Sequence, residues 1–293
     1  MAERVWTVKD ALEWTVEFLG RKADEHPRRS AEWLLSAATG LSRVELYALY
    51  DRPLTPDERE RYRTLVGKRA EGMPLQYVTG EMPFRHLVMH VEPGVFIPRP
   101  ETEVLVDVVL EHISDIAAPL VADLCTGSGC VAVSVAYEHP GATVWATDVG
   151  ERAVEAARRN ALHAKVADRV QVVHGDLFDP LPAHLRGRFD VVVSNPPYIP
   201  SADLPDLPPE VLGFEPGEAL DGGADGLDVF RRIAQESQHW LAPGALVAVE
   251  LDSRCVAEAA AVLGTSYSCV TVRKDLTGRE RIVYGQKGEA MQP

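Results

Sequence analysis

Leu120-Val-Ala-Asp-Leu-Cys-Thr-Gly-Ser-Gly129-Cys-Val-Ala-Val-Ser-Val-Ala-Tyr-Glu138 decides the fold. A short apolar run ends at Asp123-Leu124, two glycines punctuate it, and a longer apolar segment of helical length follows. That is a strand, a tight turn and a helix. The rhythm continues outward: strands are expected at 120–124, 143–148, 169–174, 189–194 and 244–250, with helices at 129–138, 151–163 and 227–240. Short apolar strands alternating with helices imply a parallel sheet covered on both faces. Segments 266–273 and 280–286, around Thr277-Gly278, read as a closing antiparallel pair. The expected class is therefore α/β, and no internal repeat is visible.

The glycine loop is a candidate nucleotide site. Glycines let the backbone turn sharply and approach a ligand, and the N–H groups opening the next helix face it. Asp148 ends the second strand, 21 residues after Gly127, where a carboxylate can take both hydroxyls of a ribose. Gly127-Ser-Gly129-Cys-Val-Ala132 also fits the dinucleotide fingerprint, so an NAD site and an S-adenosylmethionine site both remain open here. Asp176, in His174-Gly-Asp-Leu-Phe178, occupies the position beside an adenine amine, or else binds its own loop. Leu177 or Phe178 is a candidate to pack on the adenine face, with core packing the stronger expectation for either.

Asn195-Pro-Pro-Tyr198 decides the chemistry. It follows the fourth strand, at the carboxyl edge where open α/β sheets collect ligands. Pro196 and Pro197 fix the backbone and remove two N–H donors, leaving the Pro196 carbonyl and the Asn195 side-chain oxygen as acceptors. Two neighbouring acceptors suit an –NH2 group, and Tyr198 offers a flat face to a planar one. An amide or aromatic amine nitrogen is a poor nucleophile; holding both hydrogens aims it at an electrophile and lets charge build. A sulfonium methyl donor is the natural electrophile. A nicotinamide enzyme would need a hydride-handling acid or base, and none stands out.

The rest of the chain frames these motifs. Of 293 residues, 46% are hydrophobic and 25% charged, which excludes disordered, collagenous and low-complexity classes. No uncharged apolar run reaches the roughly 18 residues of a spanning helix, and no secretory signal is expected from the charged first 20 residues. Cys125, Cys130, Cys255 and Cys269 lack metal spacing and read as reduced thiols of a cytoplasmic protein, with no metal site. Residues 1–80 hold 13 of the 44 acidic and 13 of the 30 basic side chains, so the remainder carries the whole net charge of −14. Such a surface disfavours direct nucleic-acid binding. Apolar stripes at Ala11–Leu19, Ala31–Ala38 and Val44–Leu49, and the Thr55-Pro56-Asp57-Glu58 helix start, predict a helical bundle over 1–80. Residues 81–100 read as a β-hairpin broken at Pro93-Gly94, then the stiff Pro98-Arg99-Pro100; helical spacing returns over Glu101–His112.

With Pro74-Leu-Gln-Tyr-Val-Thr-Gly80, Phe96-Ile-Pro-Arg-Pro-Glu-Thr-Glu103, the glycine loop, Asn195-Pro-Pro-Tyr-Ile199 and Asp275-Leu-Thr-Gly-Arg-Glu-Arg281 in place, the sequence resembles class I S-adenosylmethionine-dependent methyltransferases. More closely, it resembles the PrmC/HemK family, which methylates a glutamine of peptide chain release factors. The resemblance implies a Rossmann-like, mostly parallel seven-stranded sheet (101–293), a hairpin linker (81–100) and a helical release-factor-binding domain (1–80). It implies S-adenosyl-L-methionine as cofactor and, as reaction, methylation of the Gly-Gly-Gln side-chain amide of class 1 release factors. It further implies that Asp123, Cys125, Thr126, Gly127, Ser128 and Gly129 hug the cofactor, with Asp148 on the ribose and Asp176-Leu177 on the adenine. Phe96 and Arg99 would line the entrance or position the cofactor; Asn195, Pro196, Pro197 and Tyr198 would hold the substrate, with Asn195, Pro196 and Tyr198 catalytic and Asn195 also touching the cofactor. A monomer is expected. A DNA or rRNA amino-methyltransferase is the alternative. Two departures stand out: Cys125 where the family commonly has glycine, tolerable if its backbone angle is ordinary, and Glu250-Leu-Asp-Ser-Arg after the fifth strand, which questions the turn there.

Overall fold

A computed structural model describes residues 5–289. The chain divides into two compact units: the chain through Glu81 with Pro209–Phe214, and Met82–Pro208 with Glu215 onward.

The first unit is helical: α1 (Val8–Arg21), α2 (Pro27–Thr39), α3 (Arg43–Ala48), α4 (Pro56–Ala70) and α5 (Leu75–Thr79). Thr7, Ser42 and Thr55 cap α1, α3 and α4, and each side chain takes an N–H three residues on while Asp10, Glu45 or Glu58 returns a bond. These reciprocal bonds satisfy donors that a helix start leaves orphaned. Pro56 opens α4, as its fixed φ allows. Leu12, Leu19, Leu34, Leu35 and Leu46 form the fully buried centre. Arg69 joins two distant stretches of this unit, pairing with Asp24 at 2.7 Å and Glu210 at 2.9 Å.

A small hairpin, β1 (Glu81–Phe84) and β2 (Leu87–His90), comes next. Its turn lies at Arg85-His86, not at the expected Pro93-Gly94. Arg85 takes a left-handed backbone, φ 51°, held because its guanidinium reaches Asp107 at 2.7 Å and Glu138 at 2.5 Å. Pro93-Gly94 instead forms a later turn that releases the chain toward Phe96.

The second unit then runs α6 (Glu103–Ile113), β3 (Leu120–Leu124), α7 (Cys130–Glu138), β4 (Thr143–Asp148), α8 (Glu151–His163), β5 (Val170–His174) and β6 (Phe189–Ser194). After α9 (Pro209–Leu212), which falls in the first unit, come α10 (Asp228–Trp240), β7 (Leu241–Glu250), α11 (Val256–Gly264), β8 (Ser268–Lys274) and β9 (Glu280–Gln286). The sheet order is β5-β4-β3-β6-β7-β9-β8. All neighbours are parallel until β9, which inserts antiparallel between β7 and β8. This is the expected Rossmann-like class, and the strand order reverses between β3 and β6. Strand residues alternate cleanly between two cores: Val121, Val191 and Val193 face α6, α7 and α8, while Ala122, Val192 and Val247 face α10 and α11. Helix α11 escapes the periodicity reading because Val256–Gly264 is mostly small and apolar, so no polar face marks its turns. Among the described residues, no helix is long and apolar enough to cross a membrane.

Candidate active site

The β3–α7 loop sits at the carboxyl edge of the sheet, beside the point where strand order reverses. Asp123 is buried at its base. Its Oδ2 accepts from Thr126 Oγ1 at 2.6 Å and from the Ala132 N–H at 3.1 Å. One of the N–H groups at the start of α7, expected to face a ligand, is therefore spent inside. Burial pushes the Asp123 carboxyl up to about 7, against those two bonds. Gly129 lies at φ 80°, and a side chain there would meet Ala157 Cβ at 2.9 Å, so its role is the close packing of α7 on α8. Cys125 has φ 56°. The condition set for tolerating a side chain at this position is not met: its backbone is left-handed, where glycine is favoured, and the thiol is held in at a cost of order 1 kcal/mol.

Asp148, at the end of β4, bridges the β3–α7 loop and the turn that follows β4. Oδ2 accepts the Gly127 N–H at 2.8 Å and Oδ1 the Gly150 N–H at 2.9 Å. Burial raises its pKa; the two backbone bonds oppose that, and Glu218 nearby adds to it. Each oxygen keeps a second lone pair. Asp176 is drawn outward to Arg232, whose guanidinium meets both carboxylate oxygens at 3.2 and 2.9 Å. Leu177, at φ 44°, is buried in the α10 core, and Phe178 stacks on Trp240 at 5.5 Å. Phe178 is thus core, and Asp176 and Leu177 point to different surroundings.

Asn195 follows β6. Its Nδ2 donates to Thr102 Oγ1 at 3.1 Å. Ser194 Oγ bonds the Leu124 carbonyl at 2.7 Å and ties the motif to β3. Pro196 is buried, and burial raises the Tyr198 phenol well above its ordinary pKa. Behind Tyr198 lies Gly226, where a Cβ would stand 2.3 Å from the Tyr198 carbonyl oxygen. The Asp221-Gly-Gly-Ala-Asp-Gly226 cluster, readable as glycine-rich but not assigned from sequence, is the wall that seats the proline corner. Arg99 lies over the Phe96 ring at 4.7 Å and pairs with buried Glu215 at 2.5 Å.

Asn195 and the glycine loop meet at one cavity, lined by Phe96, Thr102, Asp123, Cys125, Ser128 and Asn195 among others. Of the expected site residues, Arg99, Gly127, Gly129, Asp148, Asp176, Leu177, Pro196, Pro197 and Tyr198 do not line it. Thr102 was missed as a site residue. Glu250, noted only as the start of a departure, is buried beside Thr102 and was missed too. The departure itself makes an ordered turn: Asp252 takes the Arg254 N–H at 2.9 Å.

Residues 10–80 match the model of the PrmC N-terminal domain, and residues 86–204 match that of the methyltransferase small domain. The release factor glutamine methyltransferase of Geobacter sulfurreducens is 43% identical over 97% of this chain and 98% of its own. The chain belongs to the release factor glutamine methyltransferase family. The family's member from Moorella thermoacetica is 40% identical over 97% of this chain and 99% of its own. Outside the family, the Thermus thermophilus 16S rRNA N2 G1207 methyltransferase, solved with AdoMet and guanosine, superposes with a TM-score of 0.52 at 19% identity. It covers 71% of this chain and 49% of its own, a likeness of fold alone.

Proposed function

We propose that the protein transfers a methyl group from S-adenosyl-L-methionine to the side-chain amide nitrogen of the glutamine in the Gly-Gly-Gln motif of class 1 peptide chain release factors, supporting translation termination. The observation that carries this reading is the Asn195 amide, anchored through its nitrogen on Thr102 at a cavity shared with the glycine loop. Its oxygen is left to accept from an incoming amide.

The residues present suit the cofactor. Asp148 retains acceptor capacity for two ribose hydroxyls, and Ser128 Oγ is buried at the loop with no hydrogen-bond partner. When bound, S-adenosyl-L-methionine would supply an electrophilic methyl on a sulfonium and leave as the neutral thioether S-adenosyl-L-homocysteine, while the methylated nitrogen gives up one proton to solvent. Asn195 and the Pro196 carbonyl receive the two hydrogens of the substrate amide, and Pro196-Pro197 keep both acceptors rigid. Tyr198 packs the planar group, and Phe96 under Arg99 borders the entrance. The helical residues 1–80 dock the release factor. Net acidity argues against the DNA or rRNA alternative.

The test is incubation of the purified protein with labelled S-adenosyl-L-methionine and a release factor. The expected result is a mass shift of one methyl on the Gly-Gly-Gln glutamine, abolished by changing that glutamine to alanine. No transfer to any class 1 factor, or transfer to rRNA instead, overturns the proposal.

A further inference from the structure

We infer that Thr102 is a positioning residue for Asn195, and that its hydroxyl, steered by buried Glu250, decides which end of the Asn195 amide faces the cleft. The inference rests on the reading of Asn195 given above.

Thr102 ends a 3-10 turn, Pro100–Thr102, that runs directly into α6, so its backbone is already helical at φ −66° and ψ −17°. Its side chain makes no cap bond. The hydroxyl turns instead to Asn195 Nδ2, 3.1 Å away. Both residues line the cavity, and Thr102 is only 1% exposed.

The oxygen and nitrogen of an amide differ to their surroundings only through the bonds they make. Thr102 has one proton and two lone pairs, so it can present either character to Asn195. Glu250, when charged, removes the choice. The last paired residues of β6 and β7 are Ser194 and Val249, which sets Glu250 next to Asn195 along the same sheet edge. Glu250 is 1% exposed, its Oε2 has no hydrogen-bond partner, and the Thr102 hydroxyl acts on the carboxyl by favouring its charged form. A carboxylate only accepts. When Glu250 is charged, the Thr102 proton goes to it, a lone pair is left for Asn195, and Asn195 offers its NH2 inward, as the Nδ2–Oγ1 contact has it, and its oxygen outward. Burial, with Glu101 and Asp275, pushes the Glu250 carboxyl up to about 7 against Thr102 and Arg281, so the charged form prevails above that pH. Tyr198 and Cys130 also feel this carboxylate.

Three variants of the full chain, compared with the wild type at about pH 8 where Glu250 is charged, test the inference: Thr102→Val, Thr102→Ser and Glu250→Gln. Thr102→Val keeps the shape and loses the hydroxyl. It should lower kcat for release-factor methylation about 10–100-fold, leaving KM and S-adenosyl-L-methionine affinity within about twofold, and Thr102→Ser should restore kcat. The Asn195 side-chain amide resonances of the free protein should shift in Thr102→Val and stay in Thr102→Ser. Glu250→Gln brings a donor to Thr102, so the Asn195 resonances should shift or double even if Thr102→Val folds poorly. Unmoved Asn195 resonances and wild-type kcat in Thr102→Val and Glu250→Gln overturn the inference. The resonances need no substrate. If the wild type methylates no release factor, the functional reading fails while this arm still decides the positioning.

Discussion

The Asp148 carboxylate accepts the Gly127 N–H at 2.8 Å, so the end of β4 braces the turn after β3. One residue thereby fixes the loop's shape and keeps acceptor capacity for a ligand's hydroxyls. Asp148→Ala should weaken S-adenosyl-L-methionine binding about 10–100-fold, because it removes charge-assisted bonds and leaves the Gly127 and Gly150 N–H groups unpaired. Calorimetric titration reads this directly; unchanged affinity would contradict the ribose role.

Asn195→Ala should reduce kcat about 10²–10³-fold, the usual loss for one fixed polar contact to the reacting group. Cofactor affinity should change by less than about threefold, since Asn195 offers its acceptor to the substrate. Single-turnover kinetics with a release factor separates the two quantities. An equal loss in both would assign Asn195 to the cofactor instead.

Cys125 sits at φ 56°. Cys125→Gly relieves that strain but frees the unfolded chain, and the two effects of about 1 kcal/mol each nearly cancel. Cys125→Val adds a β-branched side chain to the same angle and should cost more than about 2 kcal/mol. Urea midpoints of the two variants check the contrast, and a Val variant as stable as the Gly one would show that the strain is absent.

The pH dependence of stability follows from Asp123. Its folded pKa, pushed up to about 7, exceeds the ordinary value of 3.8. The native state therefore holds this proton more tightly than the unfolded chain. The associated stabilisation is fully present below pH 4 and is lost as pH rises through about 7. Glu250 shifts in the same direction. Asp123→Asn should flatten the fall in Tm between about pH 5 and pH 8 relative to the wild type. Parallel melting profiles for the two proteins would refute the assignment.

Local signals carried most of the fold. Strands at 120–124, 143–148 and 189–194 and helix 151–163 were readable because apolar period and turn residues act within a few positions. The Asn195-Pro-Pro-Tyr198 corner was equally legible, since prolines act on their own backbone. Three features were not. The left-handed angles of Cys125 and Leu177 belong to residues that rarely adopt them, so tertiary packing imposes them. The Arg85 turn depends on Asp107 and Glu138, both distant in sequence. The meeting of Thr102 with Asn195 joins residues 93 positions apart, and no spacing rule spans that distance.

The short stretch Pro209–Phe214 belongs with the helices that begin the chain, although it departs from and returns to the sheet-bearing unit. Its Glu210 is one of the two carboxylates on Arg69. A fragment cut after Glu81 would thus be missing a piece of its own fabric, and a chimera that exchanges only the first 81 residues between relatives would carry a mismatched patch. Grafting this unit onto another family member calls for two splices, the second one inside the loop beyond Pro208.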